Sequence, residues 1–178
     1  MASAIEQFKR WRIKKASQAV SAKREYTPMK YAGRLAVLYL AGDSNSEYLL
    51  KKVGKFCEEN HLRLTSFGYF DAKELQTHLI PHSNADFFCN KHLDVLKLPH
   101  KSEFLRFTSE KFDYLINLYP TTCLPLLGIS ALSEAKFRVG PYWPDYDFCF
   151  DLMLQTEKED LMQFTDDVLI YLKNFGNG

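Results

Sequence analysis

The densest group of chemically capable side chains is a basic, aromatic stretch near the start of the chain, FKRWRIKKASQAVSAKREY, residues 8–26. Lysine and arginine neutralise phosphate groups, and aromatic rings stack on bases or fill a groove. The stretch therefore predicts a nucleic-acid contact formed by the following residues: Phe8, Lys9, Arg10, Trp11, Arg12, Lys14, Lys15, Lys23 and Arg24.

The charge of the chain is distributed unevenly. Residues 1–30 contain eight basic and two acidic residues, a net charge of +6, whereas the remainder contains fifteen basic and twenty acidic residues, a net charge of −5. The asymmetry and the break at Thr27-Pro28 predict a basic helical arm over residues 1–30 and one domain over residues 31–178. A helix is expected from Ala4 to Ala22, which has no glycine or proline.

Three kinds of partner are considered for this arm: a membrane surface, RNA and protein. A membrane-surface helix separates apolar and basic residues onto opposite faces. In projection Lys9, Arg12 and Lys15 share one half of the helix with Phe8 and Trp11, so a membrane is the weakest alternative. RNA or a ribonucleoprotein is the leading expectation, and docking on a protein partner, a second copy or the acidic domain is the runner-up.

The histidines and the GxSxG-like sequence do not predict catalysis or a metal site. His78 and His82 have the spacing of two ligands on one helical turn, but Pro81 interrupts that turn. We expect His92 and His100 to be solvated loop residues as well, and we expect no bound metal. Ser130 in GISAL falls inside a predicted helix and not at a strand–helix elbow, so we interpret it as a helix-packing serine.

Cysteine usage and hydropathy favour a cytoplasmic protein. None of the four cysteines forms CxxC, and a chain of 178 residues needs no disulfide, so free buried thiols are expected. The sequence shows neither an apolar run of about 18 residues nor the features of a signal peptide.

A candidate ligand cleft lies in the loops after the predicted strands. The sequence lacks GxGxxG and P-loop motifs, but AGDSNSE offers donors at a helix N-terminus. Because Asp43 and Glu47 would repel a phosphate there, helix capping by Ser44 is the expected role, and no cofactor is expected. The cleft would be lined by Asp43, Ser44, Asn45, Ser46, Tyr119, Thr121, Thr122, Tyr142 and Trp143.

Apolar runs alternate with amphipathic segments in a way that predicts the fold. The expected strands are Arg34–Ala41, Leu62–Phe70, Ala85–Cys89, Phe112–Tyr119, Lys136–Gly140 and Phe148–Gln155. Helices are expected after Ser44, over Lys101–Lys111, from Leu124, and over Glu157–Phe175, and Gly54 is expected to pack closely on the sheet. The pattern predicts an α/β, three-layer Rossmann-like sandwich with a mostly parallel sheet of about five or six strands.

The order of segments also carries two resemblances. ADFFCNKHLDVLKLPHKSEF, KFDYLINL, ALSEAKFRVGPY and FDLML resemble a family of small Bacteroidota proteins that share a domain of unknown function. FDYLINLYPTTCLPLLGISALSEAKFRVG is similar to the N-terminal half of the heptosyltransferase-like glycosyltransferases, which implies a Rossmann-like sheet.

The sequence as a whole predicts a binding protein, not an enzyme. The leading expectation is a cytoplasmic α/β protein that attaches to RNA or a ribonucleoprotein such as the ribosome through its arm. The alternatives are a protein-interaction or self-associating subunit, and a degenerate nucleotide or nucleotide-sugar-binding domain.

Overall fold

The sheet has six strands and all of them run parallel. The structure, a computed structural model, describes residues 3–42, 44–75, 85–155 and 160–174. The strands are β1 (Arg34–Leu40), β2 (Arg63–Phe70), β3 (Ala85–Cys89), β4 (Tyr114–Asn117), β5 (Phe137–Pro141) and β6 (Leu152–Leu154). Their spatial order is β3-β2-β1-β4-β5-β6, so the direction of winding reverses between β1 and β4. The predicted Rossmann-like α/β class is confirmed.

Five α-helices surround this sheet in the described part of the chain. They are α1 (Ala4–Gln18), α2 (Ser44–Glu59), α3 (Lys101–Thr108), α4 (Leu124–Leu132) and α5 (Leu161–Asn174), and a 3-10 segment spans Pro144–Cys149. Helices α2 and α5 cover one sheet face, where Val53 and Val168 pack with Val37 of β1. Helices α3 and α4 cover the other, where Phe107 and Leu126 pack with Leu38.

Helix α4 is buried on every side and therefore needs a cover beyond the sheet. All eight residues from Pro125 to Leu132 are buried. Leu126 and Ile129 face the sheet, whereas Leu127 and Ala131 belong to a third apolar cluster that also contains Ile13 of α1. A helix that is apolar all round is stable only between two packed layers. Helix α1 supplies the outer layer over α4.

The N-terminal helix is shorter than its sequence predicts because tertiary contacts extend the following chain. It ends at Gln18 and not at Ala22. Beyond it, the Glu25 N–H bonds to the Lys136 carbonyl at 2.9 Å, and Tyr26 packs edge-on against Phe137 with ring centres 5.5 Å apart. These contacts hold the segment along the amino ends of β4 and β5, and they override helix propensity.

Two local predictions are wrong. Helix α2 already includes Ser44, so Ser44 is not its N-cap, whereas a capping box joins Ser3 and Glu6 at the start of α1. Gly54 does not pack against the sheet, because an added Cβ would meet no atom within 4 Å.

No helix in the described ranges is both long enough and apolar enough to cross a membrane.

Candidate nucleic-acid interface and candidate ligand cleft

One side of α1 is fixed to the domain by an apolar contact and two polar ones. Ile13, only 2% exposed, inserts beside Leu127 and Ala131 of α4. Arg12 forms an ion pair with Asp94, and the Ser17 hydroxyl donates to the Phe148 carbonyl at 2.9 Å. The helix is therefore a packed element and not a free tail.

The opposite side of α1 carries two exposed aromatic rings. Phe8 is 49% exposed and Trp11 53% exposed, and their rings stack with centres 5.7 Å apart and planes 22° apart. The Lys15 ammonium lies over the Trp11 ring, 5.1 Å from its centre. At 100° per residue, Phe8, Trp11 and Lys15 fall within a sector of about 60° that points away from Ile13. We call Phe8, Trp11, Lys15 and the adjacent exposed Lys14 the outward face of α1.

The basic residues of the arm divide into those bonded within the chain and those that lie at the surface. Arg12 and Arg24 are half-buried and bonded to the domain. Arg10 and Lys23 form exposed ion pairs, with Asp145 at 2.7 Å and with Glu25 at 2.5 Å. Lys14 and Lys15 are exposed, with their ammonium groups near the Phe148 and Trp11 rings respectively, and Lys9 is half-buried.

Arg24 acts as a cap for the carboxyl end of α4. Its guanidinium donates to the carbonyls of Ser133 and Ala135, the former at 2.8 Å, just past the last residue of the helix. Burial, reinforced by the neighbouring Arg138 charge, lowers the pKa of Arg24 to about 10, so the side chain stays charged at neutral pH. The side chain therefore fixes the turn that follows α4, where a cation also interacts favourably with the helix dipole.

Sequence reasoning missed Ile13 as the anchor of α1. The helical projection placed Phe8 and Trp11 on the apolar half of the helix and did not include Ile13, whereas the structure buries Ile13 and leaves both rings at the surface. The sequence LPLLGISAL could have predicted this contact. A helix with no polar side must be covered on both sides, and the N-terminal helix is a candidate for the second cover.

The residues of the candidate ligand cleft lie at the carboxyl end of the sheet. Tyr119, Thr121 and Thr122 lie in the loop between β4 and α4, and Asn45 and Ser46 lie in the first turn of α2. Because β1 and β4 are neighbours whose following helices cover opposite sheet faces, these two loops flank the point where the winding reverses. Asp43 lies outside the described residues.

The two aromatic residues predicted for the same cleft have different surroundings. Tyr142, directly after β5, is 49% exposed. Trp143 is half-buried and packs against the third apolar cluster, which α1 and α4 share. Trp143 therefore contributes to the apolar packing between α1 and the domain.

A buried amide at this end of the sheet was not predicted. Asn117, the last residue of β4, is 1% exposed, and its Oδ1 accepts the Tyr119 N–H at 3.2 Å. Its Nδ2 has no hydrogen-bond partner among the described residues. The sequence signal is a single amide at the end of an otherwise apolar run, FDYLINLY.

The comparisons with known proteins decide the family. The model of a family of unknown function, DUF6913, matches residues 6–175. The chain belongs to this family. No curated protein matches the DUF6913 chain in sequence.

Two solved structures are similar to this DUF6913 chain. They are the E. coli heptosyltransferase WaaC with ADP, at 9% identity, and the same enzyme with ADP-2-deoxy-2-fluoro heptose, at 11% identity, each with a TM-score of 0.48. Each match covers 82% of this chain but only 48% and 50% of the respective enzyme chain, so the protein spans about half the length of these structures.

Potential nucleophiles of the DUF6913 chain are protonated or engaged in packing. Burial raises the pKa of the Cys123 thiol to about 11 and that of Cys57 to about 12, so both are protonated at neutral pH. All four cysteines are free, three of them buried and Cys123 half-buried. Ser130 donates to the Leu126 carbonyl at 2.9 Å, which confirms it as a helix-packing serine.

One histidine prediction is corrected. His92 is half-buried, and its Nδ1 accepts the Cys89 N–H at 3.1 Å, so it is not a solvated loop residue. His100 is exposed and precedes α3. His78 and His82 lie outside the described residues. Within the described ranges no three metal-ligating side chains come together.

Proposed function

We propose that this DUF6913 protein binds RNA, free or within a ribonucleoprotein such as the ribosome, through the outward face of α1. The observation that carries the proposal is the exposed Phe8–Trp11 ring stack with Lys15 over Trp11. Exposed rings flanked by cations bind bases and phosphates together. If α1 served only to cover α4, its solvent-facing side would need no large rings. Apolar side chains exposed to solvent bury little area and therefore do not stabilise the fold.

Charge supports a polyanionic partner. The arm carries +6 and the rest of the chain −5, so an anion is attracted to the α1 side of the molecule. The ion pairs of Arg10 and Lys23 are exposed, and such pairs contribute at most about 1 kcal/mol each. A phosphate can replace either carboxylate at small cost, which makes these two cations available to RNA.

The set of RNA-contacting residues is narrower than the arm as a whole. Arg12 and Arg24 hold α1 and α4 in place, so the proposal assigns them a structural role. The remaining contacts are assigned to the outward face together with Lys9, Arg10 and Lys23. The proposal includes a cytoplasmic location and assigns no catalytic residue.

Point substitutions test this proposal better than truncation does. Deleting residues 1–26 would remove Ile13 from the surface of α4 and would test folding instead of binding. The variant is Lys14→Gln with Lys15→Gln. Its control is Lys51→Gln with Lys55→Gln, because these two exposed lysines lie on α2, which covers the other face of the sheet.

The measurement is the dissociation constant of each protein for a fluorescent single-stranded RNA over a series of salt concentrations. We expect Lys14→Gln/Lys15→Gln to bind more weakly and its log–log salt slope to fall by about 0.7 per lost phosphate contact, with the control unchanged. Salt-insensitive binding, or equal losses in both double variants, would reject the interface.

A pull-down distinguishes RNA from a protein partner. The same ring pair could pack on a protein, so capture by the wild type is compared before and after nuclease treatment. The proposal expects partners to be lost on nuclease treatment and in Phe8→Ser/Trp11→Ser. Partners that survive nuclease and depend on the rings would replace it with the protein-docking alternative.

A further inference from the structure

We infer that the outward face of α1 selects unpaired RNA over duplex RNA, an inference that rests on the proposed function and specifies its partner. The observation is the direction of the two rings. Both project from a helix whose other side is fixed on the domain, and both are about half exposed. Rings presented in this way offer flat surfaces to a base.

Duplex RNA cannot use these surfaces. In an A-form duplex the faces of the bases are covered by their neighbours, and the deep, narrow groove excludes side chains. A base in a loop, bulge or single strand has a free face, and stacking on an aromatic side chain tolerates any base. Phosphate contacts alone would not separate the two forms, so the discrimination comes from Phe8 and Trp11.

Lys15 is placed so that it can leave the Trp11 ring and contact an RNA phosphate. Lys15 lies over the Trp11 ring in the unbound protein, and its side chain is exposed. A base that stacks on this ring moves the ammonium aside, where it can contact the phosphate that follows. From Phe8 to Lys15 the helix rises by about 10 Å, so the two rings and the cation lie within reach of one short stretch of RNA.

Two further aromatic residues, Tyr26 and Trp143, do not extend this surface. Tyr26 is half-buried, with its ring centre 5.5 Å from that of Phe137 and 6.2 Å from that of Tyr114. Trp143 is half-buried and packs against the apolar cluster that contains Ile13 of α1. The base-stacking surface is therefore assigned to Phe8 and Trp11.

The experiment compares one strand in two states. The probe is an oligouridine labelled at one end, used alone and annealed to oligoadenine of the same length, at one salt concentration. We expect the single strand to bind more tightly. We expect Phe8→Ser/Trp11→Ser to weaken binding of the single strand by about 5- to 150-fold while duplex binding changes little.

Tryptophan emission gives a second readout on the ring itself. The chain has two tryptophans, so Trp11 is the only emitter in a Trp143→Phe variant. Oligouridine should quench this emission and the duplex should not. Should Trp143→Phe fail to fold, acrylamide accessibility of the exposed Trp11 in the wild type, with and without oligouridine, reports the same contact.

The outcomes separate this inference from the proposed function. Equal affinity for single strand and duplex, with both depending on Lys14 and Lys15, would overturn the inference and leave RNA binding in place. Unchanged affinity of Phe8→Ser/Trp11→Ser for the single strand would overturn the inference and would also remove the two rings from the proposed RNA interface. Binding to neither form at low salt would reject both.

Discussion

At the scale of single residues, Asp113 joins three strands at the amino end of the sheet. Its Oδ2 accepts the N–H groups of Gly33 and Arg34 at 2.8 and 3.0 Å, and its Oδ1 accepts Lys136 Nζ at 2.7 Å. Burial alone would raise the pKa of Asp113, but these donors outweigh it, and the pKa lies below its ordinary value. The ionised carboxylate is therefore part of the folded structure.

Asp113→Asn should lower the free energy of unfolding by about 2 kcal/mol at neutral pH, because it removes the charge that Lys136 and two backbone donors bind. Because the pKa of Asp113 is lower in the folded state than in the unfolded state, where it is about 4, the carboxylate stabilises the protein at any pH above about 4. This stabilisation is lost as the pH falls through the pKa of the folded state. Urea unfolding between about pH 7 and pH 3 should therefore show the gap between the two proteins narrowing below about pH 4.

Asp145→Asn is the matched control for this measurement. The Asp145 side chain is 75% exposed and pairs with Arg10 at the surface, so we expect a change within about 0.5 kcal/mol. A gap for Asp113→Asn that stayed constant through the acid range would contradict the linkage.

Side-chain roles were the part of this molecule that sequence reasoning predicted least well. Asp113 opens the predicted strand Phe112–Tyr119, but its three donors come from segments distant in the sequence. Likewise, Arg24 and Lys15 are both basic residues of one run, and only the packing separates a helix cap from a surface cation. The sequence gives the type of each residue, whereas the role of its side chain depends on contacts with residues that are distant in the sequence.

At the scale of secondary-structure elements, the predictions were better because burial leaves a periodic pattern. β1 has five consecutive buried residues, and the apolar run RLAVLYLA predicted it to within one residue. β6 was predicted as eight residues and has three, because Pro144–Cys149 forms a 3-10 segment just before it. The aromatic residues of that stretch favoured a strand, and the hydrophobic pattern does not distinguish a 3-10 segment from a strand.

Two helical glycines that look alike in sequence should respond oppositely to substitution. Gly54→Ala adds a Cβ that meets nothing within 4 Å, so removing the helix penalty of glycine should raise the free energy of unfolding by about 1 kcal/mol. Gly128→Ala would place its Cβ 2.6 Å from Pro99 Cγ and should destabilise the protein by about 1–3 kcal/mol.

Thermal unfolding of the two glycine variants measures this contrast. For a chain of this size, 1 kcal/mol corresponds to a Tm shift of about 2–4 °C. A rise for Gly54→Ala and a fall for Gly128→Ala are expected. Equal shifts in one direction would show that the packing of α4 against Pro99 is not as tight as described.

At the scale of the whole molecule, the chain forms helix layers on both sides of a sheet and one further helix outside them. The alternation of strands and helices predicted the inner layers, and the charge asymmetry predicted a distinct N-terminal segment. What the sequence did not show is that this segment completes the core. The contact is made by one isoleucine among basic residues, too little for a periodic signal.

The contribution of α1 to stability can be measured with two isoleucines of the same helix. Ile13→Ala should cost about 2–5 kcal/mol, because it leaves a cavity beside Leu127 and Ala131. Ile5→Ala should change stability by no more than about 0.5 kcal/mol, since Ile5 is 62% exposed. Chemical denaturation of both variants checks this, and equal effects would contradict the docking of α1 described above.

The position of α1 over α4 also orders events during synthesis. Helix α1 ends at Gln18 and α4 begins at Leu124, about a hundred residues later, or about 5–20 s of translation. Throughout that interval Ile13 has no burial site, and an isolated helix of 15 residues is only marginally stable in water. The nascent segment therefore carries its cations and rings as an unfolded chain, and it acquires its fixed presentation only when the helix it covers has been made.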